Sequence, residues 1–327
     1  MLISIDEAVA CLRRGDLVAL PTETVYGLAG LALKEDSVKK IYRLKGRPST
    51  NPLIVHVYDQ FDGENLAQFN DLAHKACKFF WPGPLTIVLP KKDCVPYSIT
   101  GGGNTVALRS PSQPLFRKVL QKVDSALAAP SANPTNRTSP TQAKHVQELF
   151  GKKCPAILDG GECRHGVEST VLDLSEGEPR ILRYGPITPE KIENVLERKI
   201  ILPKNQEIES YEPKKSPGSF HLHYAPKTPL FIFRNWDEIR ETTPSTDDLL
   251  ILPEKLDLPN DLSGHFSTPL YLSQNGDLEE IARNLYNTMI EADKQGAKRI
   301  LTLLPAQMNQ LYLAVYDRLK RASKLPQ

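Results

Sequence analysis

The stretch from residue 203 to 227 constrains this chain most, because it carries no apolar periodicity. Pro203, Pro213, Pro217 and Pro226 punctuate it, with lysines and glutamates between them. Proline fixes φ and removes a backbone donor, so such a run reads as a linker rather than a packed element. It divides the 327 residues into two stretches, each with the apolar content to bury a core. The predicted division is a domain over 1–202, a linker over 203–227 and a smaller domain over 228–327.

Both stretches mix two periods. Ser4 followed by Glu7 is a capping-box signature. Ile5, Ala8, Val9 and Leu12 then recur at helical spacing until Gly15 ends the run. Short apolar runs predict strands at 17–20, 52–57, 85–89, 105–108, 126–129, 156–158, 170–174 and 180–182. Helical patterns fit at 37–45, 71–80, 113–123, 141–150 and 189–197. Beyond the linker, strands are expected at 230–233, 249–252, 269–272 and 299–304. Helices are expected there at 277–295, with Leu278, Ile281, Leu285 and Met289 on one stripe, and at 308–322. The fold class is therefore α/β, with a sizeable mixed sheet in the first domain.

Charge separates the two stretches. From Thr228 onward there are 11 basic and 14 acidic side chains, whereas the preceding part is net +5. The basic part suits anionic ligands such as nucleotide phosphates or RNA, although an ordinary scatter of surface charge reads equally well. The cysteines, Cys11, Cys77, Cys94, Cys154 and Cys163, form no C-x-x-C pair and are odd in number. That argues against a disulfide framework and a zinc ribbon. The start lacks a basic segment followed by an apolar one, and no apolar run is long enough to span a bilayer. A reducing cytosol is the expected compartment.

Standard phosphate loops are absent: there is no G-x-x-x-x-G-K-[ST] and no G-x-G-x-x-G. Gly101-Gly102-Gly103-Asn104 reads as a tight turn entering a strand. His221-x-His223 is weak as a metal signal without carboxylate or cysteine partners nearby.

Six polar clusters remain, most of them at the ends of apolar strands. The first is Pro21-Thr22-Glu23-Thr24-Val25-Tyr26-Gly27-Leu28. The second, Lys45-Gly46-Arg47-Pro48-Ser49-Thr50-Asn51-Pro52, puts two cations one residue apart beside glycine and proline. It reads as a rigid cationic loop suited to a polyphosphate. The third is Ala129-Pro130-Ser131-Ala132-Asn133-Pro134, continuing to Ser139-Pro140-Thr141-Gln142. Ser139 there has the look of an N-cap, with proline at the first helical position and Gln142 completing a box. The others are Leu108-Arg109-Ser110-Pro111, with an arginine poised for a carboxylate, then 166–171 and 182–186. Their shared position suggests one cleft.

Together these stretches resemble the YrdC-like threonylcarbamoyl-AMP synthases, in the long form with an added C-terminal domain. The matching segments are PTETVYGL (21–28), KGRPSTNPLIVHV (45–57), WPGPLTIVL (81–89), TVALRSP (105–111), APSAN (129–133), VESTV (167–171), ILRYGPI (181–187) and SPGSFHLHYAP (216–226).

The resemblance implies a twisted mixed sheet around a deep basic cavity, a Rossmann-like second domain and a linker across the cavity mouth. It implies an activity as well. L-Threonine, bicarbonate and ATP, with Mg²⁺, would give threonylcarbamoyl-adenylate and pyrophosphate. A separate tRNA-threonylcarbamoyl transferase complex would pass the group to adenosine 37 of tRNA. Weak binding of tRNA or double-stranded RNA goes with that setting. Carried over by position, Arg47, Asn51, Thr105, Ser131, Ser139, Arg183 and Tyr224 would contact ATP. Thr24, His56, Arg109, Ala129 and Ser169 would hold threonine. Lys45 and Asn133 complete a K-x-R and S-x-N set with Arg47 and Ser131 around the phosphates, the set expected to carry catalysis. Tyr224 would close with the linker over the nucleotide.

Three other readings compete, and the blandest, a purely structural two-domain α/β protein, leaves the six polar clusters unexplained. The carbamoyltransferases of hydrogenase maturation share a YrdC-like domain but also carry zinc-finger cysteines and an acylphosphatase domain, and neither is present here. A non-catalytic RNA-binding module would show salt-dependent RNA binding without ATP turnover.

Overall fold

Ser4 and Glu7 cap the first helix as their spacing requires. In the computed structural model, which describes residues 1–203, 223–266, 268–305 and 309–324, Ser4 Oγ accepts the Glu7 N–H at 3.3 Å. Glu7 Oε2 in turn accepts the Ser4 N–H at 2.8 Å. Contacts divide the chain into two units. The first comprises Met1–Thr135, Ser139–Arg164 and the chain from Glu168. The second comprises Asn136–Thr138, His165–Val167 and the C-terminal part.

In the first unit the helices are α1 (Ile5–Arg13), α2 (Glu35–Lys45), α3 (Gln60–Glu64), α4 (Asp71–Phe80), α5 (Tyr97–Thr100), α6 (Pro114–Val123), α7 (Ala143–Phe150) and α8 (Pro189–Leu196). The strands are β1 (Val18–Leu20), β2 (Gly27–Leu31), β3 (Ile54–His56), β4 (Leu85–Pro90), β5 (Thr105–Arg109), β6 (Leu127–Ala128), β7 (Ala156–Ile157), β8 (Thr170–Asp173) and β9 (Arg180–Arg183). They form a nine-stranded mixed sheet in the order β7-β1-β2-β6-β3-β5-β4-β8-β9.

Strand alternation sorts the side chains between two faces. On one face Val55, Leu85, Ile87, Val106, Leu108 and Leu172 join Val38 and Ile41 of α2, Ala76 of α4, Val146 of α7 and Ile192 of α8 in the main core. On the other, α1 and α6 pack Leu12, Phe116 and Val119 against Val18, Leu20, Ala29 and Leu127. The rest of that second face carries a small apolar cluster of Ile54, Val88, Ala107, Val171 and Leu182. By alternation Thr105, Arg109, His56 and Thr86 share its face, so the sheet itself sets where the candidate site lies.

The second unit holds a four-stranded parallel sheet, β10 (Leu230–Phe233), β11 (Asp248–Leu252), β12 (Leu270–Tyr271) and β13 (Arg299–Leu303), in the order β10-β13-β11-β12. Helices Trp236–Glu241, Leu278–Asp293 and Leu311–Ala322 accompany it. Its core includes Phe233, Ile239, Leu250, Leu252, Leu301 and Leu303. Asp248 binds Arg299 at 2.6 Å, tying β11 to β13. The large mixed sheet and the smaller α/β unit answer the expected fold class.

Several expectations need correction. Ser139 is not a helix cap. Its Oγ donates to Glu168 Oε1 at 2.6 Å, and α7 starts later, with Gln142 at the N-cap position and no side-chain cap bond. Lys45 is the last residue of α2, where the expected 37–45 helix ends, so of the two cations only Arg47 lies in the loop beyond Gly46, which is in the left-handed region (φ 63). β2 was not expected, because its Gly27–Leu31 run begins within the polar 21–28 motif and continues as GLAGL without β-branched residues, yet it is buried throughout. Helices α3, α5 and Trp236–Glu241 were also not expected. Gly101–Gly103 does form a tight turn: Gly101 (φ 62) ends α5, and a Cβ there would run into the Thr50 carbonyl oxygen. The expected linker lies outside the described residues from 204 to 222, His221 included, as does Met308 at the expected start of the last helix.

Candidate active site

Lys45 is a basic side chain with almost no access to solvent, at 3% exposure. Its Nζ donates to the carbonyl oxygens of Ser131 and Asn133, each at 2.5 Å, and approaches Asn133 Oδ1 at 3.4 Å. Thr135 N–H returns a bond to Lys45 O at 2.8 Å. The end of α2 is thereby fastened to the 131–135 loop. Burial, then the Arg47 charge, lowers the Lys45 pKa well below its ordinary value, while Glu168 works the other way.

Gly46 turns the chain so that Arg47 follows, also buried. Arg47 donates through Nε to Asn51 O at 3.2 Å and through Nη2 to Asn51 Oδ1 and to Pro52 O at 2.9 Å. Tyr42 Oη donates to Asn51 O (3.0 Å) and Ser98 O (2.8 Å), fixing the loop from the helix side. Asn51 Nδ2 is buried with no partner among the described residues. A buried amide donor without a partner is costly, and it leaves this loop with a hydrogen bond to give.

At the far end of β5, Arg109 lies in register with His56 of β3. Arg109 Nη2 donates to Glu23 Oε1 at 2.7 Å, and Nε approaches Gly83 O at 3.4 Å. His56 packs on the Phe116 ring at 5.2 Å, with Nδ1 buried and without a side-chain hydrogen-bond partner among the described residues. Burial, then the neighbouring Arg109 charge, pushes the His56 pKa down to about 3, so its ring is neutral at physiological pH. Thr22 Oγ1 accepts the Thr24 and Val25 N–H groups, both at 3.1 Å, and lies 2.8 Å from Thr24 Oγ1. This turn holds Thr24 beside Glu23. Ala129 N–H donates to Ile54 O at 3.1 Å.

Arg183, ending β9, donates through Nε to Ser169 O and through Nη2 to Ser169 Oγ, each at 3.0 Å. Ser169 Oγ lies 2.7 Å from Thr86 Oγ1. Gly185 is required here, because a Cβ would run into the backbone of Thr170. Thr105 opens β5, half-buried.

The structure thus joins Lys45 with Ser131 and Asn133, Arg47 with Asn51, Arg109 with His56 by register, and Arg183 with Ser169. Ser139 reaches the set through Glu168, next in sequence to Ser169. Tyr224 belongs to the second unit. Its backbone is in the left-handed region (φ 65), its ring stacks on Tyr286 at 5.7 Å, and the Arg318 guanidinium lies 5.3 Å from its centroid. Among the residues the sequence reading missed are Glu23, Glu168 and Thr86. The available signal was an acidic side chain amid apolar and hydroxyl residues at a strand end, as in Thr-Glu-Thr and Val-Glu-Ser-Thr. A buried carboxylate needs a partner, and each of the two has one.

Residues 10–185 match the family described as "Telomere recombination", and residues 187–324 match the one described as "Threonylcarbamoyl-AMP synthase, C-terminal domain". A protein of Pyrococcus abyssi named threonylcarbamoyl-AMP synthase is 41% identical over 97% of this chain and 93% of its own length. A Schizosaccharomyces pombe protein of the same name is 35% identical over 98% and 88%. The crystal structure of P. abyssi Sua5 complexed with L-threonine superposes with a TM-score of 0.84 at 38% identity, covering 98% of this chain and 94% of that one. With both domain families matched in sequence order and full-length relatives on either side, this chain belongs to the threonylcarbamoyl-AMP synthase family, whose reaction is of the nucleotidyltransferase type.

Proposed function

We propose that this chain is an L-threonylcarbamoyladenylate synthase that uses L-threonine, bicarbonate and ATP and releases pyrophosphate. The observation that carries the reading is the buried pair of basic groups, Lys45 bonded to the 131–133 loop and Arg47 to Asn51 and Pro52, on the same unit as Arg109. In this reading Arg47, Asn51, Thr105, Ser131, Ser139, Arg183 and Tyr224 contact ATP. Thr24, His56, Arg109, Ala129 and Ser169 hold threonine. Lys45 works with Asn133 by fixing the loop that carries Ser131. The domain division at 202 and 228 belongs to the same proposal.

The chemistry asks mainly for alignment and charge neutralisation. The threonine ammonium must first lose a proton, because only the neutral amine has an electron pair to give to carbon. Attack on carbon dioxide turns one C–O π bond into the carbamate oxyanion and the nitrogen loses a second proton to solvent, whereas attack on bicarbonate expels hydroxide, which leaves with that proton as water. An oxygen of the resulting carbamate then bonds to the α-phosphorus. The bond from that phosphorus to the bridging oxygen breaks, and pyrophosphate leaves with the electron pair. Arg47 and Arg183 are the side chains fitted to the growing charge on the phosphates. Among the described residues no group of three or more His, Cys, Asp or Glu side chains is arranged to hold a metal ion. Mg²⁺ therefore enters this reading with the ATP phosphates, supplying charge there, and no step is assigned to it. The product is an activated acyl-adenylate, consumed by a transferase complex that modifies adenosine 37 of tRNA.

The test is pyrophosphate release from ATP in bicarbonate buffer with Mg²⁺, one amino acid at a time. The expected result is release that needs both bicarbonate and threonine. It collapses in Arg47→Ala and in Arg109→Ala. Serine should support slower release, since a methyl group in a pocket is worth only about 1–3 kcal/mol. No threonine-dependent release from folded protein would overturn the reading, and salt-dependent RNA binding would be the next measurement.

A further inference from the structure

Arg109 is paired with a carboxylate that the chain itself supplies. Its partner Glu23 is almost as buried as it is, with side-chain exposures of 5% and 6%. Arg109 uses Nη2 on Glu23 and Nε on Gly83 O, and Nη1 has no hydrogen-bond partner among the described residues. Glu23 Oε2 accepts the Ser112 N–H at 3.1 Å. An ionised carboxylate offers about four acceptor sites; Arg109, the Ser112 N–H and the residue's own backbone N–H use three of them, so Glu23 keeps about one in reserve. The pair therefore presents one cationic arm and one anionic acceptor site side by side.

A buried arginine alone would welcome any small carboxylate, whether it comes from a hydroxy acid, a keto acid or an amino acid. Glu23 alters that preference. It cancels the charge of Arg109, so an anion gains little on entry and meets a like charge beside it. A zwitterion brings both signs and can satisfy both partners. We propose, on the reading of this pocket as the threonine site, that Glu23 is its specificity-determining residue. Arg109 takes the substrate carboxylate and Glu23 takes the α-ammonium, so the pocket selects an α-amino acid over the matching hydroxy acid.

The charged and titratable groups around the pair agree with this assignment. Burial raises the Glu23 carboxyl, but the Arg109 charge and hydrogen bond outweigh it and hold it below the usual carboxylate range. Glu23 is thus an anion throughout the neutral range. His56, in register with Arg109, is neutral there and adds no second cation. The Cys163 thiol, which feels the Glu23 charge, is pushed up and stays protonated. So acidic a carboxyl is a poor proton acceptor: Glu23 loads the ammonium, and the amine proton leaves later to bicarbonate or water.

The experiment is calorimetric binding of L-threonine and of 2,3-dihydroxybutanoate, which has a hydroxyl where threonine has its ammonium. Both are measured on the full chain and on Glu23→Gln. The natural chain should prefer threonine, and Glu23→Gln should cut that preference by about tenfold or more, the scale of one hydrogen bond to a charged group. Equal weakening of both ligands would overturn the proposal, leaving Glu23 only to hold Arg109 in place. Should Glu23→Gln fail to fold, the unaltered chain still decides. A neighbouring carboxylate raises the pKa of a bound amine, so threonine binding near its own amine ionisation should take up protons, read from buffers of different ionisation heat. Proton release, or none, would overturn the proposal. A natural chain that binds threonine without these signatures overturns it alone, whereas one that binds neither ligand overturns the threonine reading as well.

Discussion

Lys45 gives its protons to backbone oxygens rather than to solvent. Its removal should therefore cost stability as well as activity. Lys45→Met keeps the length and apolar stem but removes the ammonium hydrogen bonds to the Ser131 and Asn133 carbonyls, although Ser131 O still accepts the Asn133 N–H at 3.0 Å. Each such loss costs about 1–3 kcal/mol when the group stays buried. A lowered urea midpoint with an unchanged slope, together with loss of pyrophosphate release, is the expected outcome. An unchanged midpoint would mean that Lys45 is held in place by the loop, and not the reverse. Glu23 carries a pH signature as well. Its folded-state pKa lies below the ordinary 4.5, so its pairing contributes stability in full above that value. The contribution is lost as pH falls through the lower folded value. Acid unfolding of Glu23→Gln should therefore be shallower below about pH 4.5 than that of the natural chain. The sequence marked Arg109 as waiting for a carboxylate but not that the chain supplies one itself. That pairing spans 86 residues, and no local spacing reveals it.

At the scale of elements, what the sequence revealed best was local. The Ser4–Glu7 box forms within one turn of helix, and its period and cap are both written in nearby residues. Ser4→Ala should lower stability by about 1 kcal/mol and leave the KM values alone, which thermal melts and kinetics can check together. Ser139 failed as a cap because a distant carboxylate, Glu168, claimed its hydroxyl. β2 escaped notice because its GLAGL run lacks the branched residues that mark strands, and only its neighbours β1 and β6 make it one. Gly185 belongs with these long-range effects. Its backbone lies so close to Glu168, Ser169 and Thr170 that even a methyl group collides with main chain. Gly185→Ala should push β9 from β8, moving Arg183 off Ser169. The expected cost is about 1–3 kcal/mol from overpacking, with ATP use falling more than stability alone explains. Normal kinetics in a folded Gly185→Ala protein would show that the Arg183–Ser169 contact has no part in the reaction.

For the whole molecule, two short segments of the first stretch of sequence, Asn136–Thr138 and His165–Val167, group with the second unit. There Ala225 N–H donates to Asn136 O at 3.0 Å, and Thr138 Oγ1 donates to Tyr224 O at 3.4 Å. Gly166 (φ 69) lies so close to the backbone of Ala282 and Arg283 that any side chain would collide with it. These segments run directly into Ser139 and Glu168, the hydrogen-bonded pair of the candidate site. A chain ended at residue 203 keeps the apolar clusters described for the first unit, so it should fold with a cooperative melt. It strips 136–138 and 165–167 of their partners, however, and Ser139 and Glu168 lose the anchoring of their neighbours. The KM for ATP should then rise several-fold while that for threonine changes less, because Arg109, His56 and Glu23 keep their contacts. Equal kinetics for fragment and full chain would free the second unit of any part in nucleotide binding. An unfolded fragment would show that the first unit does not stand alone.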